Sequence, residues 1–276
     1  MISGYGQLVI GPAGSGKTTY CHIIQQQAAT KGRKMYLVNL DPASENTSDY
    51  DIDIKDLISI DDVMSTLEYG PNGGLIYCLE YLLNNLNWLY DQIEEIGEGA
   101  YFLFDCPGQI ELYSHLTIMK TIAEEIKKWG ILLCGVYCMD VTFFNESHKY
   151  ISGSLISLSS MIQLELPYLN ILTKCDKHGE EDKVEELLEA THSEILEEES
   201  SKFDKKFYGL NKAIVKIIED YSNFQITPLN IKSNDSIERV LYNVDSLIQY
   251  GESEEPQEKI YEEAEQNMYD KAEPMI

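Results

Sequence analysis

The sequence predicts a three-layer α/β fold, in which helices flank both faces of a mainly parallel central sheet. Two observations lead to this prediction. Short apolar runs alternate with segments of helix length, which is typical of chains whose strands lie parallel. The longest run, Ile131–Met139, is apolar enough for a strand buried at the centre of such a sheet. With 276 residues, 43% of them hydrophobic, the chain is long enough to bury a large core.

Six strands and seven helices are predicted in chain order. The strands are expected at Gln7–Ile10, Met35–Leu40, Tyr101–Phe104, Ile131–Met139, Tyr168–Leu172 and Phe224–Ile231. Pro228 has no N–H for a sheet ladder and disfavours the end of the sixth strand. The helices are expected at Lys17–Thr30, Leu75–Leu86, Leu116–Lys128, Ser147–Leu164, Lys183–Glu199, Leu210–Tyr221 and Ser236–Tyr250. One domain over residues 1–251 is predicted, followed by a polar, disordered tail.

The chain is strongly acidic, with 21 Lys and Arg against 47 Asp and Glu and a formal net charge of −26. Phosphate contacts need a basic face, so direct binding to nucleic acid is not expected, and anionic membrane surfaces are disfavoured for the same reason. Residues 177–206 form an acidic, helical, insertion-like segment, and residues 252–276 form an acidic tail. Both are interpreted as solvated surface, with a docking surface for a basic partner as the alternative.

Six cysteines, no two of them with C-x-x-C spacing, indicate a reducing compartment. Most lie inside apolar runs, and buried free thiols are therefore expected. The spacing matches no zinc motif. No apolar run reaches 18 residues, so no membrane span is expected. These features predict a location in the cytosol or the nucleus. The six residues are Cys21, Cys78, Cys106, Cys134, Cys138 and Cys175.

A glycine-rich segment between the first strand and the first helix fits the pattern G-x-x-x-x-G-K-[ST]. Its glycines let successive amides turn toward phosphate oxygens, and the helix N-terminus adds partial positive charge. Lys17 is expected to reach the β- and γ-phosphates, and the Thr18 hydroxyl is a hard oxygen suited to Mg²⁺. This strand–loop–helix unit indicates the P-loop NTPase class of α/β folds. The predicted nucleotide-binding residues here are Gly11, Pro12, Ala13, Gly14, Ser15, Gly16, Lys17, Thr18 and Thr19.

Carboxylates follow the second and third strands, at the edge where ligands bind in open α/β sheets. Asp105 is predicted to hold Mg²⁺ through a water molecule. Asp41 could also contact the metal through water or orient the attacking water. Alternatively, Asp41 serves only to end the strand in an Asp-Pro turn. Gly108 can bring its N–H close to the γ-phosphate. Gln109 and Glu111 follow in the same loop, within reach of the attacking water.

The segment after the fifth strand, Thr173-Lys-Cys-Asp176, is similar to the N/T-K-x-D element with which GTPases read guanine. The Asp176 carboxylate can accept hydrogen bonds from both N1–H and the N2 amino group of guanine, a pair of donors that adenine lacks. The Lys174 stem can lie over the plane of the base. A loop after the last strand usually completes this contact, and Pro228–Asn230 lies there. GTP and GDP are therefore the predicted ligands.

Together with Gly70-Pro71-Asn72, these motifs resemble those of the GPN-loop GTPase family, which is named after the Gly-Pro-Asn tripeptide. The resemblance runs from about Gln7 to Gly251, and the element that starts with Thr173 departs from the commoner Asn. It implies dimers whose nucleotide sites face the interface, with Asn72 acting in trans near the γ-phosphate bound by the other subunit. It also implies a homodimer, or a heterodimer with another GPN-loop GTPase paralogue. The family is linked to assembly and nuclear import of RNA polymerase II, so polymerase subunits or assembly factors are implied partners.

The motifs together predict slow, Mg²⁺-dependent GTP hydrolysis coupled to a conformational change. Lys17, the metal and, by the resemblance, Asn72 would stabilise charge that develops on the phosphoryl group. Asp41 and Gln109 are the first candidates to position water, with Glu111 as the third. They are expected to orient the water and not to remove its proton, because an ordinary carboxylate is a weak base. Two other functions remain open: a nucleotide-gated assembly factor without turnover, and a P-loop small-molecule kinase, which the guanine element disfavours.

Overall fold

A seven-stranded parallel sheet lies at the centre of the molecule. The computed structural model describes residues 2–45, 50–145, 147–177, 202–221 and 226–251. In chain order the strands are β1 Gly4–Ile10, β2 Met35–Asn39, β3 Ile52–Asp53, β4 Ala100–Asp105, β5 Ile131–Asp140, β6 Tyr168–Thr173 and β7 Ile226–Pro228. They lie side by side in the order β3-β2-β4-β1-β5-β6-β7, and every pair is parallel. The carboxyl ends of all strands therefore meet at one edge of the sheet.

Helices cover both faces of this sheet. They are α1 Lys17–Thr30, α2 Ile60–Leu67, α3 Pro71–Asn84, α4 Leu86–Ile96, α5 Glu111–Ser114, α6 Ile118–Lys128, α7 Ser147–Leu164, α8 Lys202–Asp220 and α9 Asn234–Leu247. α1 and α9 pack on one face, where Ile24 and Val240 are fully buried. α3, α4, α6 and α7 pack on the other face, in a larger apolar cluster that includes Leu79 and Ile122. None of the described helices has the length and hydropathy needed to cross a bilayer. The three layers confirm the predicted fold class.

The strands predicted from apolar runs are present, although several of their ends differ; β1, for example, begins at Gly4 and not at Gln7. β7 ends at Pro228, before the predicted end at Ile231, and the predicted start at Phe224 lies outside the described residues. β3 is a two-residue strand that no apolar run indicates, and it pairs with β2 through Val38↔Ile52 and Asn39↔Asp53. β5 lies in the interior of the sheet, between β1 and β6, as its apolar sequence predicts.

The predicted helices are present where the structure describes the chain, but several begin or end at other residues than predicted. α7 has the predicted bounds, but α3 begins at Pro71 and not at Leu75. Gly70 is its N-cap residue, and Pro71 occupies the first helical position, where a missing N–H costs nothing. α2 and α4 are additional helices on the segments that flank α3. The predicted helix Lys183–Glu199 and the tail 252–276 lie outside the described residues.

All six cysteines are buried free thiols, as predicted. Burial raises the pKa of every one of them. The pKa rises to about 11 for Cys78 and Cys175 and to about 12 for Cys138. Because the thiolate is the reactive form, these side chains are inert in the folded protein at neutral pH.

Arg33 ties the last described helix to the first. It follows α1, and its guanidinium donates two hydrogen bonds to Asp245 of α9, at 2.6 and 3.1 Å. The guanidinium also lies 3.9 Å from the ring centroid of Tyr250, a cation–π contact. The side chains of Arg33 and Asp245 are each 19% exposed, so water screens this pair only partly. The pair is therefore worth more to stability than an ion pair on the open surface.

Replacing Arg33 with Met should lower the free energy of unfolding by about 2 kcal/mol, because the carboxylate of Asp245 loses two charged hydrogen bonds. Urea denaturation followed by circular dichroism measures the change. Lys31→Met is the matched control. Lys31 pairs with Glu238 at 3.2 Å, but these side chains are 44% and 45% exposed, so its loss should cost less than about 0.5 kcal/mol. Equal costs for the two variants would contradict the role given to Arg33.

Candidate nucleotide-binding site

The glycine-rich loop after β1 has the backbone shape that its sequence predicts. Gly11, Gly14 and Gly16 have positive φ angles of 141°, 73° and 92°, a region that residues with a Cβ rarely adopt. Gly11 is doubly constrained, because a Cβ there would lie 2.4 Å from the carbonyl oxygen of Cys138 on β5. α1 begins directly after the loop, at Lys17. The loop and the helix N-terminus therefore have the arrangement of an anion-binding turn.

Lys17 is buried against the loop from which it emerges. Its Nζ donates to the carbonyl oxygens of Gly11 and Pro12, at 3.2 Å in both cases, and the residue is only 8% exposed. Ser15 is also buried, and its Oγ has no hydrogen-bond partner among the described residues. A buried ammonium group and a buried hydroxyl with unused hydrogen-bonding capacity fit a phosphate ligand.

Asp105 ends β4 and lies beside Thr18 of α1. The Thr18 hydroxyl donates to Asp105 Oδ2 at 2.6 Å, and the Tyr50 hydroxyl donates to the same oxygen at 2.8 Å. Burial raises the pKa of Asp105, while the hydrogen bonds from Thr18 and Tyr50 and the positive charge of Lys17 act in the opposite direction. A hydroxyl oxygen and a carboxylate are hard ligands of the kind that Mg²⁺ prefers. These residues therefore fit the metal site that the sequence predicts.

Asp41 follows β2 at the same edge of the sheet. Its Oδ1 accepts a hydrogen bond from the Ala43 N–H at 2.9 Å, and its own N–H donates to Asn39 Oδ1 at 2.9 Å. Burial raises the pKa of Asp41; the Ala43 N–H and the positive charge of Lys17 lower it, and the negative charge of Asp105 raises it. The Asp-Pro turn is thus present, and Asp41 also belongs to one electrostatic cluster with Lys17 and Asp105.

The loop after Asp105 packs on the P-loop. A Cβ at Gly108 would lie 2.7 Å from Ala13 Cα, a backbone approach that only glycine permits. The next residue, Gln109, buries its Oε1 without a hydrogen-bond partner among the described residues. Glu111 is exposed at the start of α5. The structure therefore brings Gly108, with Gln109 beside it, to the P-loop and leaves Glu111 at the surface.

Thr173 and Lys174 join the segment that ends β6 to the P-loop. The Thr173 hydroxyl donates to the carbonyl oxygen of Ser15 at 2.6 Å. The Lys174 ammonium donates to the carbonyl oxygen of Gly14 at 2.7 Å and forms an ion pair with the carboxylate of Asp140, which ends β5. A Thr in place of the commoner Asn therefore keeps the segment bonded to the P-loop.

A cavity of about 110 Å³ lies beside this segment, between α1 and the loop after β7. Its lining includes Asp176, whose side chain is 10% exposed and whose carboxylate lies 3.8 Å from Lys232 Nζ. A nearly buried carboxylate among apolar side chains suits the polar edge and the flat faces of a purine base. The residues that line the cavity are Gly16, Thr19, Tyr20, Thr173, Lys174, Asp176, Leu229 and Ile231.

Asn72 lies at the surface, in the first turn of α3. It belongs to a continuous exposed stretch, residues 65–73, in which Leu67 is 40% and Tyr69 47% exposed. In the described part of the chain, Asn72 makes no hydrogen bond to the P-loop. The structure therefore does not bring Asn72 to the site within one chain.

The sequence prediction missed several residues of this site, among them Asp140, Ile231 and Tyr50. Asp140 carries the same signal as Asp105, a carboxylate directly after an apolar strand, and could have been found by it. Ile231 lies one residue beyond the predicted range Pro228–Asn230. Tyr50 carries no signal in sequence, because it is a lone aromatic residue in a polar segment that matches no motif.

The parallel sheet, the glycine-rich loop before α1 and the pairing of Thr18 with Asp105 define a P-loop NTPase. A family profile described as "Conserved hypothetical ATP binding protein" matches residues 9–250. A relative named GPN-loop GTPase 3 from Xenopus tropicalis is 43% identical over 276 residues, which cover 98% of this chain and 94% of the relative. The relative of the same name from Danio rerio is 44% identical over 261 residues, covering 92% and 91%.

The chain therefore belongs to the GPN-loop GTPase family. Among solved structures, it is similar to a GTPase in its apo form from Pyrococcus abyssi, with a TM-score of 0.72 and 22% identity. That match covers 88% of this chain and 97% of the other. At this level of identity the likeness bears on the fold alone, and it agrees with the parallel sheet described above.

Proposed function

We propose that the protein binds GTP together with Mg²⁺ and hydrolyses it slowly, as a dimeric molecular switch. One observation carries this proposal. Thr173 and Lys174 bond to carbonyl groups of the P-loop, so the guanine-reading segment and the phosphate-binding loop form one connected surface. A ligand that spans this surface needs a base with two adjacent donors at one end and a chain of phosphates at the other. GTP and GDP have both.

Phosphate binding is assigned to the P-loop and Lys17. Backbone amides and one ammonium group attract an anion locally, even in a protein with a net charge of −26. Thr18 would hold Mg²⁺ directly and Asp105 through a water molecule, because Mg²⁺ keeps several waters in protein sites. Bound Mg²⁺ would neutralise charge on the β- and γ-phosphates. Lys17 supplies a second positive charge for the same oxygens.

Asp176 is assigned the choice of guanine over adenine. Its carboxylate can accept from N1–H and the N2 amino group of guanine, whereas adenine offers an acceptor at N1. Leu229 and Ile231 would pack against the base. The description of the family profile refers to ATP, while the similar proteins from frog and fish are named GTPases. The carboxylate of Asp176 in the cavity supports GTP over ATP as the ligand.

Asp41 and Gln109 are assigned the positioning of the attacking water. The buried Oε1 of Gln109 can accept a hydrogen bond from that water, and Asp41 lies in the cluster that contains Lys17. Glu111, which is exposed, ranks third. Asn72 is assigned to the site of the partner subunit, and its exposure at the start of α3 supports this role in trans. Its side-chain amide would donate to charge that develops on the phosphoryl group.

The dimer is proposed to be a homodimer or a heterodimer with another GPN-loop GTPase paralogue. Exposed apolar side chains in residues 65–73 support an interface there. The family resemblance supports a role in assembly and nuclear import of RNA polymerase II, with its subunits or assembly factors as partners. The protein would then work in the cytoplasm and shuttle to the nucleus. Residues 1–251 would form the GTPase domain.

Phosphate release by the purified full chain tests the proposal. The expected result is Mg²⁺-dependent release of inorganic phosphate from GTP, which EDTA stops and excess ATP does not inhibit. Tight GTP binding without release would instead favour a nucleotide-gated assembly factor. Equal use of ATP, with transfer to a small acceptor, would favour a kinase. Native mass spectrometry after co-expression with paralogues reports the dimer and its bound nucleotide together.

A further inference from the structure

Tyr50 contacts the proposed metal site, although it belongs to none of the sequence motifs. Its hydroxyl donates to Asp105 Oδ2 at 2.8 Å, and the Thr18 hydroxyl donates to the same oxygen at 2.6 Å. Asp105 is only 2% exposed, so few other groups can hydrogen-bond to its charge. Tyr50 therefore supplies one of two donors that hold this buried carboxylate in place.

The backbone at Tyr50 is itself held in place. The next residue, Asp51, donates its N–H to the carbonyl oxygen of Leu37 at 2.9 Å, and its Oδ2 accepts the N–H of Leu37 at 2.8 Å. The strand that follows, β3, pairs with β2. The Tyr50 ring packs against the apolar cluster beneath α1, and its centroid lies 6.1 Å from that of His22. The hydroxyl is thus delivered to Asp105 from a fixed position.

Two donors on one carboxylate oxygen decide which way the other oxygen faces. With Oδ2 of Asp105 bonded to Thr18 and Tyr50, Oδ1 remains the acceptor for further hydrogen bonds in the described part of the chain. A carboxylate that holds Mg²⁺ through a water must present an oxygen to that water, and partners of such carboxylates tune metal affinity. The Thr18 hydroxyl can keep its bond to Asp105 while its lone pair faces the metal.

We propose that Tyr50 is a positioning residue that orients Asp105 toward the water shell of Mg²⁺. This inference rests on the proposed function, because it presumes a nucleotide-bound metal at Thr18. It gives Tyr50 an influence on metal affinity that acts through Asp105. The opposite role is also testable: a Tyr50 that competed with the metal for Asp105 would weaken Mg²⁺ binding.

The test is the rate of release of a fluorescent GDP analogue across a series of Mg²⁺ concentrations. Tyr50→Phe keeps the ring and removes only the hydroxyl. The Mg²⁺ concentration that slows release by half should rise about tenfold in this variant. Tyr36→Phe is the matched control. Tyr36 is a half-buried tyrosine of β2 whose ring lies against Phe102. Removing its hydroxyl should leave the Mg²⁺ concentration for half-maximal slowing unchanged. Release in EDTA should be the same for all three proteins.

Each contrary outcome has a separate meaning. Wild-type release that does not respond to Mg²⁺ would overturn the metal part of the proposed function and this inference with it. A response in the wild type that Tyr50→Phe leaves unchanged would overturn the inference alone. Tighter Mg²⁺ binding in Tyr50→Phe would show the competing role. Faster release from Tyr50→Phe in EDTA would show general damage to the nucleotide site, and would also overturn the positioning role.

Discussion

Replacing Gln109 with Leu is expected to slow GTP hydrolysis about 100-fold, because a water that loses one positioned hydrogen-bond partner attacks less often. GTP affinity should stay at the wild-type value, since Gln109 lies in the loop after Asp105 and not in the P-loop. The two side chains have similar size, and the amide Oε1 that is lost has no other partner among the described residues. Single-turnover hydrolysis of prebound GTP measures the rate separately from binding.

Gln27→Leu is the matched control for this change. Gln27 lies on α1, is half-buried and donates a 3.1 Å hydrogen bond to Glu238 away from the loop of Gln109, so the same substitution there should leave the rate unchanged. Asp41→Asn is the companion variant, because it keeps an acceptor for the Ala43 N–H and removes only the negative charge. A wild-type rate in a Gln109→Leu protein that still binds GTP and dimerises would remove Gln109 from the mechanism.

Asp176→Asn should lower GTP affinity about 100-fold and make xanthosine triphosphate the preferred ligand. The carboxylate accepts two hydrogen bonds from guanine. In the Asn variant the side-chain NH₂ would face one of the N–H groups of guanine, so that two donors oppose each other. Xanthine carries a carbonyl oxygen where guanine carries the N2 amino group, so it can accept from the new amide. Competition against a fluorescent guanine nucleotide measures both affinities.

A second Asp-to-Asn change separates this effect from a change of charge alone. Asp235 is exposed in the first turn of α9, outside the cavity, and Asp235→Asn should keep the preference for GTP. Stability should change little in Asp176→Asn, since its partner Lys232 is 73% exposed and such pairs contribute little. Unchanged GTP affinity in Asp176→Asn would show that another group reads the base.

The fold could be predicted where hydrophobic burial alone determines an element. β5 is surrounded by other elements and reads as an unbroken apolar run, Ile131–Met139, so its place inside the sheet follows from sequence. β3 could not be found in this way, because two residues make no pattern and the pairing depends on β2 lying beside it. The predicted start of α3 was wrong because Gly-Pro is typical both of a turn and of the first residues of a helix, and here Pro71 is the first residue of the helix.

The residues of the site also divide into those that the sequence predicts and those that it does not. Residues of the P-loop and of the strand ends could be predicted because a ligand demands those residue types at those spacings. Tyr50 and Lys232 reach the site through tertiary structure, from segments far in sequence from the groups they contact. The exposure of Asn72 agrees with a role in trans, but that role stays a prediction because it needs a second chain. Spacing along one sequence cannot specify a contact between two.

The six inert thiols allow local opening of the folded protein to be followed by chemical labelling. An alkylating reagent at neutral pH can modify a cysteine only after the segment that covers it has opened, so the rate at which mass is added reports opening events one segment at a time. Cys106 follows Asp105, and Cys138 lies under Gly11, while Cys78 lies on α3 and far along the chain from both. Labelling of the first two therefore follows the nucleotide site, and labelling of the third follows the helix that carries Asn72.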